Sequence, residues 1–114
     1  MLPTASFART PADWTAMVFL NAGSDLENDA IESFEAMARV GSTNKVNIVV
    51  QFSRTETDAQ TNSQWNHALR FRVTKGMEPS PASAVQDMGD VDMGSQAALR
   101  DFIDWSAQNR VSCR

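Results

Sequence analysis

One histidine, His67, and one cysteine, Cys113, set the limit on the nucleophilic chemistry this chain can hold. A Cys–His scheme needs thiolate and imidazole within hydrogen-bond reach. Cys113 stands next to the last residue, a poor place for a buried nucleophile, and His67 sits in Gln64-Trp65-Asn66-His67-Ala68 with no adjacent glycine to open space for a substrate. The spacing gives no reason for the two to meet, so His67 reads as an exposed or hydrogen-bonded loop histidine. A lone cysteine also excludes an internal disulfide framework.

Asp87, Asp90 and Asp92 gather hard oxygen ligands within a few residues. A twelve-residue calcium loop also needs a glycine at its sixth position and a glutamate at its twelfth, and this stretch supplies neither in register. Turn-forming, solvated aspartates are the expectation. Gly89 and Gly94 do not follow a strand in the phosphate-binding arrangement. The six methionines fall at core-like positions and call for no cofactor.

The most informative place is the turn holding Asn21, Ser24 and Asp25. In open α/β sheets ligands bind outside the carboxyl ends of the strands, where helix N-termini present free N–H groups. Asn21, Ser24 and Asp25 are therefore the candidates for contact with substrate, with capping of the helix the simpler role for Ser24 and Asp25 taken singly.

The elements around that turn follow from patterning. Residues 14–20 are apolar in succession, as in a central strand buried on both faces. Ser24 and Glu27 have capping-box spacing, so a helix is predicted from about Asp25. Leu26, Ala30, Ile31, Phe34, Met37 and Ala38 form its apolar stripe, and Gly41 ends it. Residues 46–52 read as a second buried strand, parallel to the first across the helical crossover. Residues 53–64 read as a polar surface loop. Leu69, Phe71 and Val73 alternate with Arg70, Arg72 and Thr74, which predicts a peripheral hairpin strand with one wet face. Residues 76–83, with Pro79 and Pro81, should be irregular, and residues 85–91 should hold a short extended piece. Ser95 is placed to cap a second helix in which Leu99, Phe102, Ile103 and Ser106 share a face, with Trp105 at its edge.

With 114 residues, one small domain is the ceiling. Hydrophobic residues at 42% and charged residues at 21% are globular values that point away from disorder. The longest apolar run is too short to cross a bilayer. A net charge of −4 without a basic stripe disfavours nucleic acid and anionic membrane surfaces as partners. Residues 1–12 read as an N-terminal tail without the apolar core of a secretory leader, which places the chain as written in the cytoplasm unless its true start lies upstream.

Several stretches together resemble one family. Residues 14–22 (Trp-Thr-Ala-Met-Val-Phe-Leu-Asn-Ala), Asp25-Leu26-Glu27, Val40-Gly41-Ser42-Thr43 and residues 46–52 (Val-Asn-Ile-Val-Val-Gln-Phe) are similar to the N-terminal region of clostripain-like cysteine peptidases. Arg70-Phe71-Arg72-Val73-Thr74-Lys75 resembles that family's hairpin strand. Met88-Gly89-Asp90-Val91-Asp92-Met93-Gly94, with Leu99, Asp101-Phe102-Ile103 and Trp105, resembles the loop and helix that follow. The likeness runs in colinear order from Trp14 to about Asn109.

It implies an α/β fold, an incomplete caspase-like three-layer αβα sandwich with a mostly parallel sheet, in which residues 13–114 are the N-terminal portion of the peptidase domain. In that family a catalytic histidine follows the next buried strand in a Trp-Asn-His-Gly context, and a catalytic cysteine follows the strand beyond. Trp65-Asn66-His67 copies three letters of that context, but Ala68 replaces the glycine, no apolar strand precedes it, and it stands before the second helix. The catalytic role is therefore not carried onto His67. After the second helix the chain departs from the family in Arg110-Val111-Ser112-Cys113-Arg114, as a truncated or frame-shifted reading frame would.

For a full-length parent the resemblance implies an endopeptidase cutting after Arg or Lys, acting on a peptide or protein substrate by thiolate attack, with histidine moving the proton and backbone amides holding the oxyanion. Calcium is compatible with that parent, whereas no cofactor or metal is expected in this chain. Its partner would be the remaining C-terminal part of the domain. Relatives are often secreted or associated with the cell envelope. The alternative expectation is a non-catalytic α/β fragment or interaction module that binds a partner through an open sheet edge.

Overall fold

A computed structural model describes residues 12–22, 27–54 and 67–109. They form a mixed α/β unit with β1 (Trp14–Ala22), α1 (Glu27–Val40), β2 (Val46–Arg54), β3 (Ala68–Arg72), β4 (Gln86–Gly89) and α2 (Gln96–Gln108). The strands lie in the order β1-β2-β3-β4. β1 pairs in parallel with β2, Trp14 opposite Val46 and Ala22 opposite Arg54. β2 with β3 and β3 with β4 are antiparallel. The expectation of a mostly parallel sheet is therefore corrected, since one of the three pairings is parallel. Only α1 acts as a crossover. β3 and β4 add by reversal of the chain, and reversal makes antiparallel neighbours.

The first helix forms as its periodicity requires and ends at Gly41, whose φ of 75° closes the last turn while its N–H donates to the Met37 carbonyl. Phe34 is fully buried and meets Phe71 edge-on at 4.8 Å and Phe52 at 6.2 Å. With Ile48, Val50, Leu69 and Val73 it makes an apolar core between α1 and one sheet face.

The opposite face is polar. Asn47, Gln51 and Arg70 are buried there beneath α2. Arg70 Nε donates to Gln51 Oε1 at 2.7 Å, its Nη atoms donate to Gln86 and to Asp101 of α2, and its guanidinium stacks 5.0 Å from the Trp105 ring centre. Arg72 Nε donates to Asn47 Oδ1, and Asn47 Nδ2 donates to the Asn109 carbonyl beyond α2. Ser95 caps α2 by accepting from the Ala98 N–H, as its position predicts.

Two expectations about strands change. β3 is an inner strand with Arg70 nearly fully buried, not a peripheral strand with a wet face. A wet-looking alternation misleads here because Asp101, Gln51, Gln86 and Trp105 satisfy the guanidinium in place of water. β1, read as buried on both faces, is instead an edge of the described sheet, with Trp14, Ala16 and Met17 exposed.

Candidate functional site

The carboxyl end of β1 carries Asn21, one of the groups singled out by sequence. β1 runs through Asn21 to Ala22, and α1 returns over it, so the end of the strand and the first turns of the helix leave an open cavity between them. Its volume is about 310 Å³, and it is lined by Phe19, Leu20, Asn21, Ala22, Asp29, Ala30 and Ser33. Most of that lining is apolar. The polar groups are the Asn21 amide and, one helical turn apart on α1, the Asp29 carboxylate and the Ser33 hydroxyl. Such a set can hold a peptide by hydrogen bonds but offers no thiol or imidazole for attack. Of the three candidates, Asn21 lines this cavity, while Ser24 and Asp25 lie outside the described residues.

His67 comes to the same end of the sheet. Ala22 sits opposite Arg54, whose N–H donates to the His67 carbonyl at 3.3 Å, which puts His67 two strand spacings from Ala22, about 10 Å by ordinary sheet geometry. Its side chain is fixed away from the cavity, in the direction of β4, by a 3.0 Å contact from Nε2 to Asp87 Oδ2. Asp87 also accepts the Gly89 N–H at 2.9 Å. That backbone hydrogen bond holds the Asp87 carboxyl below its ordinary value of 3.8 against the opposing effect of desolvation, and the His67 hydrogen bond and charge lower it further. The pair joins β3 to β4 and matches the expected hydrogen-bonded histidine. Cys113 lies outside the described residues.

Asp92 accepts the Gly94 N–H, a turn role like that of Asp87. Among the described residues no group of three or more histidine, cysteine or acidic side chains is placed to hold a metal. No helix among them is long and apolar enough to cross a membrane.

Sequence reasoning did not foresee the buried Arg70 cluster or the pairing of His67 with Asp87. A signal for the first was present in Gln51, a long amide in the middle of an otherwise apolar strand, which requires a buried polar partner. Compared with known proteins, the chain matches no family model and no curated sequence.

Proposed function

We propose that this chain supplies the first strands of a clostripain-like cysteine endopeptidase domain that cleaves after Arg or Lys, and that it does not itself carry the catalytic histidine and cysteine. The observation that carries the reading is the state of β1. It is an uncharged strand, Trp-Thr-Ala-Met-Val-Phe-Leu-Asn-Ala, of the kind found inside parallel sheets, yet among the described residues no strand lies on its outer side. A further strand placed there would make β1 central. The cavity at its carboxyl end would then stand at the mouth of a larger sheet, where substrates of α/β proteins bind. In that setting the cavity forms one wall of the substrate pocket, and the imidazole and thiolate come from the added strands. His67, held by Asp87 at the start of β3, keeps a structural role.

Peptide hydrolysis tests this. The chain alone should leave an Arg-containing fluorogenic peptide intact, and co-expression with the later part of a complete clostripain-like peptidase domain should restore Arg-specific cleavage. Cleavage by the chain alone, abolished by His67→Ala or Cys113→Ala, would overturn the reading. The same open edge favours a second reading, an interaction module whose only activity is to bind a partner strand. That reading predicts binding without cleavage in the co-expressed complex.

A further inference from the structure

We propose that the cavity between the end of β1 and the first turns of α1 binds a cation carried on a short aliphatic stem, an alkylammonium or alkylguanidinium group, with Asp29 as the residue that recognises the charge. Binding of this kind needs no catalytic group, so it stands whether or not the domain is a peptidase.

Size and lining supply the first part. A volume of about 310 Å³ lies at the lower end of the range for small-ligand sites, about 300–1,000 Å³. Phe19 and Leu20 are half-buried and Ala22 and Ala30 are buried, so the walls from β1 and α1 are apolar. Methylene groups of a ligand leave water when they lie against such walls, which favours a ligand with an apolar stem.

The polar groups decide the sign of the charge. Asp29 and Ser33 stand one turn apart on α1, and Asn21 closes the cavity from the strand end. All three are exposed, so a ligand reaches them without opening the fold. Among the described residues no ion pair or side-chain hydrogen bond engages Asp29, which leaves both carboxylate oxygens able to accept. An ammonium or guanidinium donates to those oxygens through charge-assisted hydrogen bonds, and the Asn21 and Ser33 oxygens can accept its remaining N–H groups. The stretch from Ala12 to Ala38, whose described parts make both walls, holds six acidic residues and no lysine or arginine. The same walls therefore repel an anion, although a helix N-terminus by itself attracts one.

An aspartate in the first turn of a helix also stabilises that helix through its dipole. Such a role asks nothing of the cavity. It predicts lower stability in Asp29→Asn and no ligand, and it does not account for the apolar hollow beside the carboxylate.

Chemical-shift titration of the isotope-labelled chain separates the two, with n-butylammonium chloride as the probe and n-butanol and sodium butyrate as controls at constant ionic strength. The expected result is saturable shifts confined to the amides of residues 19–22 and 29–33, with a dissociation constant on the order of 1–50 mM, the range for a ligand of a few heavy atoms. Butanol should bind about fivefold more weakly, the upper end for loss of a solvent-exposed ion pair, and butyrate should not bind. Asp29→Asn should weaken butylammonium by the same factor and leave butanol unchanged. Glu35→Gln, which removes a like charge from another face of α1, should change nothing. Ser33→Leu fills the cavity without touching the charge and should abolish binding; it is the second variant should Asp29→Asn lose its circular dichroism. The peptide acetyl-Ala-Lys-Ala-amide, set against the same peptide with norleucine, identifies the source of the cation. Shifts with the lysine peptide alone assign a peptide side chain, and shifts with butylammonium but neither peptide assign a free amine. No saturation at concentrations well above the expected range, butanol binding as tightly as the amine, or indifference to both Asp29→Asn and Ser33→Leu overturns the proposal. Peptide hydrolysis reads none of these outcomes, so the peptidase reading and this one fail separately.

Discussion

Replacing Arg70 by Met tests whether the polar layer under α2 holds the domain together or is tolerated by it. Arg70 is 3% exposed, so its charge is almost fully desolvated. Its ion-pair partner Asp101 is 64% exposed, and the attraction between them must be discounted for solvent. Removing the guanidinium strands the Gln51 Oε1 acceptor in a buried place, which costs about 1–3 kcal/mol. Loss of the Trp105 stacking adds about 0.5–2 kcal/mol. Against these, methionine relieves the desolvation of a buried charge and fills much of the same volume, which offsets only part of the loss because one partner alone is replaced. The unmade hydrogen bond decides the sign, giving a net loss of about 1–2 kcal/mol. Urea unfolding followed by Trp fluorescence measures it. The double variant Arg70→Met/Gln51→Leu removes both partners and should recover most of the loss, because paired apolar replacement is nearly neutral. If Arg70→Met alone equals or exceeds the parent in stability, the argument that hydrogen-bond satisfaction dominates this face is wrong.

Three further outcomes are expected. Gly41→Ala should lower stability by at least about 1–2 kcal/mol from the left-handed backbone alone, and more from contact, since a Cβ there would lie 2.5 Å from the Lys75 backbone nitrogen; thermal unfolding reads it. Phe34→Ala should cost about 3–5 kcal/mol and leave little residual stability in a urea titration, because Phe34 is fully buried against Phe52 and Phe71. Asp87→Asn should lower stability near neutral pH and make no difference in acid: a carboxyl whose folded value is depressed contributes stability above its unfolded value and loses it as pH falls through the folded one. The gap between the unfolding midpoints of parent and variant should therefore close below the ordinary value of 3.8, and a gap independent of pH would count against the hydrogen bonds assigned to Asp87.

Local signals in the sequence led to the elements that local physics decides. The stripe through Ala30, Phe34 and Ala38, the glycine at 41 and the Ser95 cap each act within a few residues, and each appears where the pattern puts it. The parallel pairing of β1 with β2 was legible for the same reason, a helix-length crossover between two apolar runs. What was not legible depends on partners distant in sequence. Arg70 looked solvated because Asp101, thirty-one residues later, is what makes its burial tolerable. β1 looked central because its composition is that of a central strand, while its burial depends on what lies beside it. At the candidate site, the rule for strand ends pointed to the end of β1, where Asn21 lines a cavity, whereas the tie between His67 and Asp87 spans twenty residues and had no local mark.

The state of that edge can be read directly, residue by residue, from amide hydrogen exchange. In β1 the N–H groups of residues 14, 16, 18, 20 and 22 point to β2, and those of 15, 17, 19 and 21 point away from it, as the Trp14 to Lys45 hydrogen bond fixes. An inner amide exchanges only when the strand leaves the sheet, which requires breaking the ladder to β2 and uncovering Phe19 from Phe102. An outward amide of a monomer needs no such opening. Protection along β1 should alternate, with the even residues at least a hundredfold slower than the odd ones, a difference of about 2.7 kcal/mol in opening free energy. Uniform protection of β1 would mean that another part of the chain already covers the edge, and the reading of β1 as a strand open on its outer side would fall.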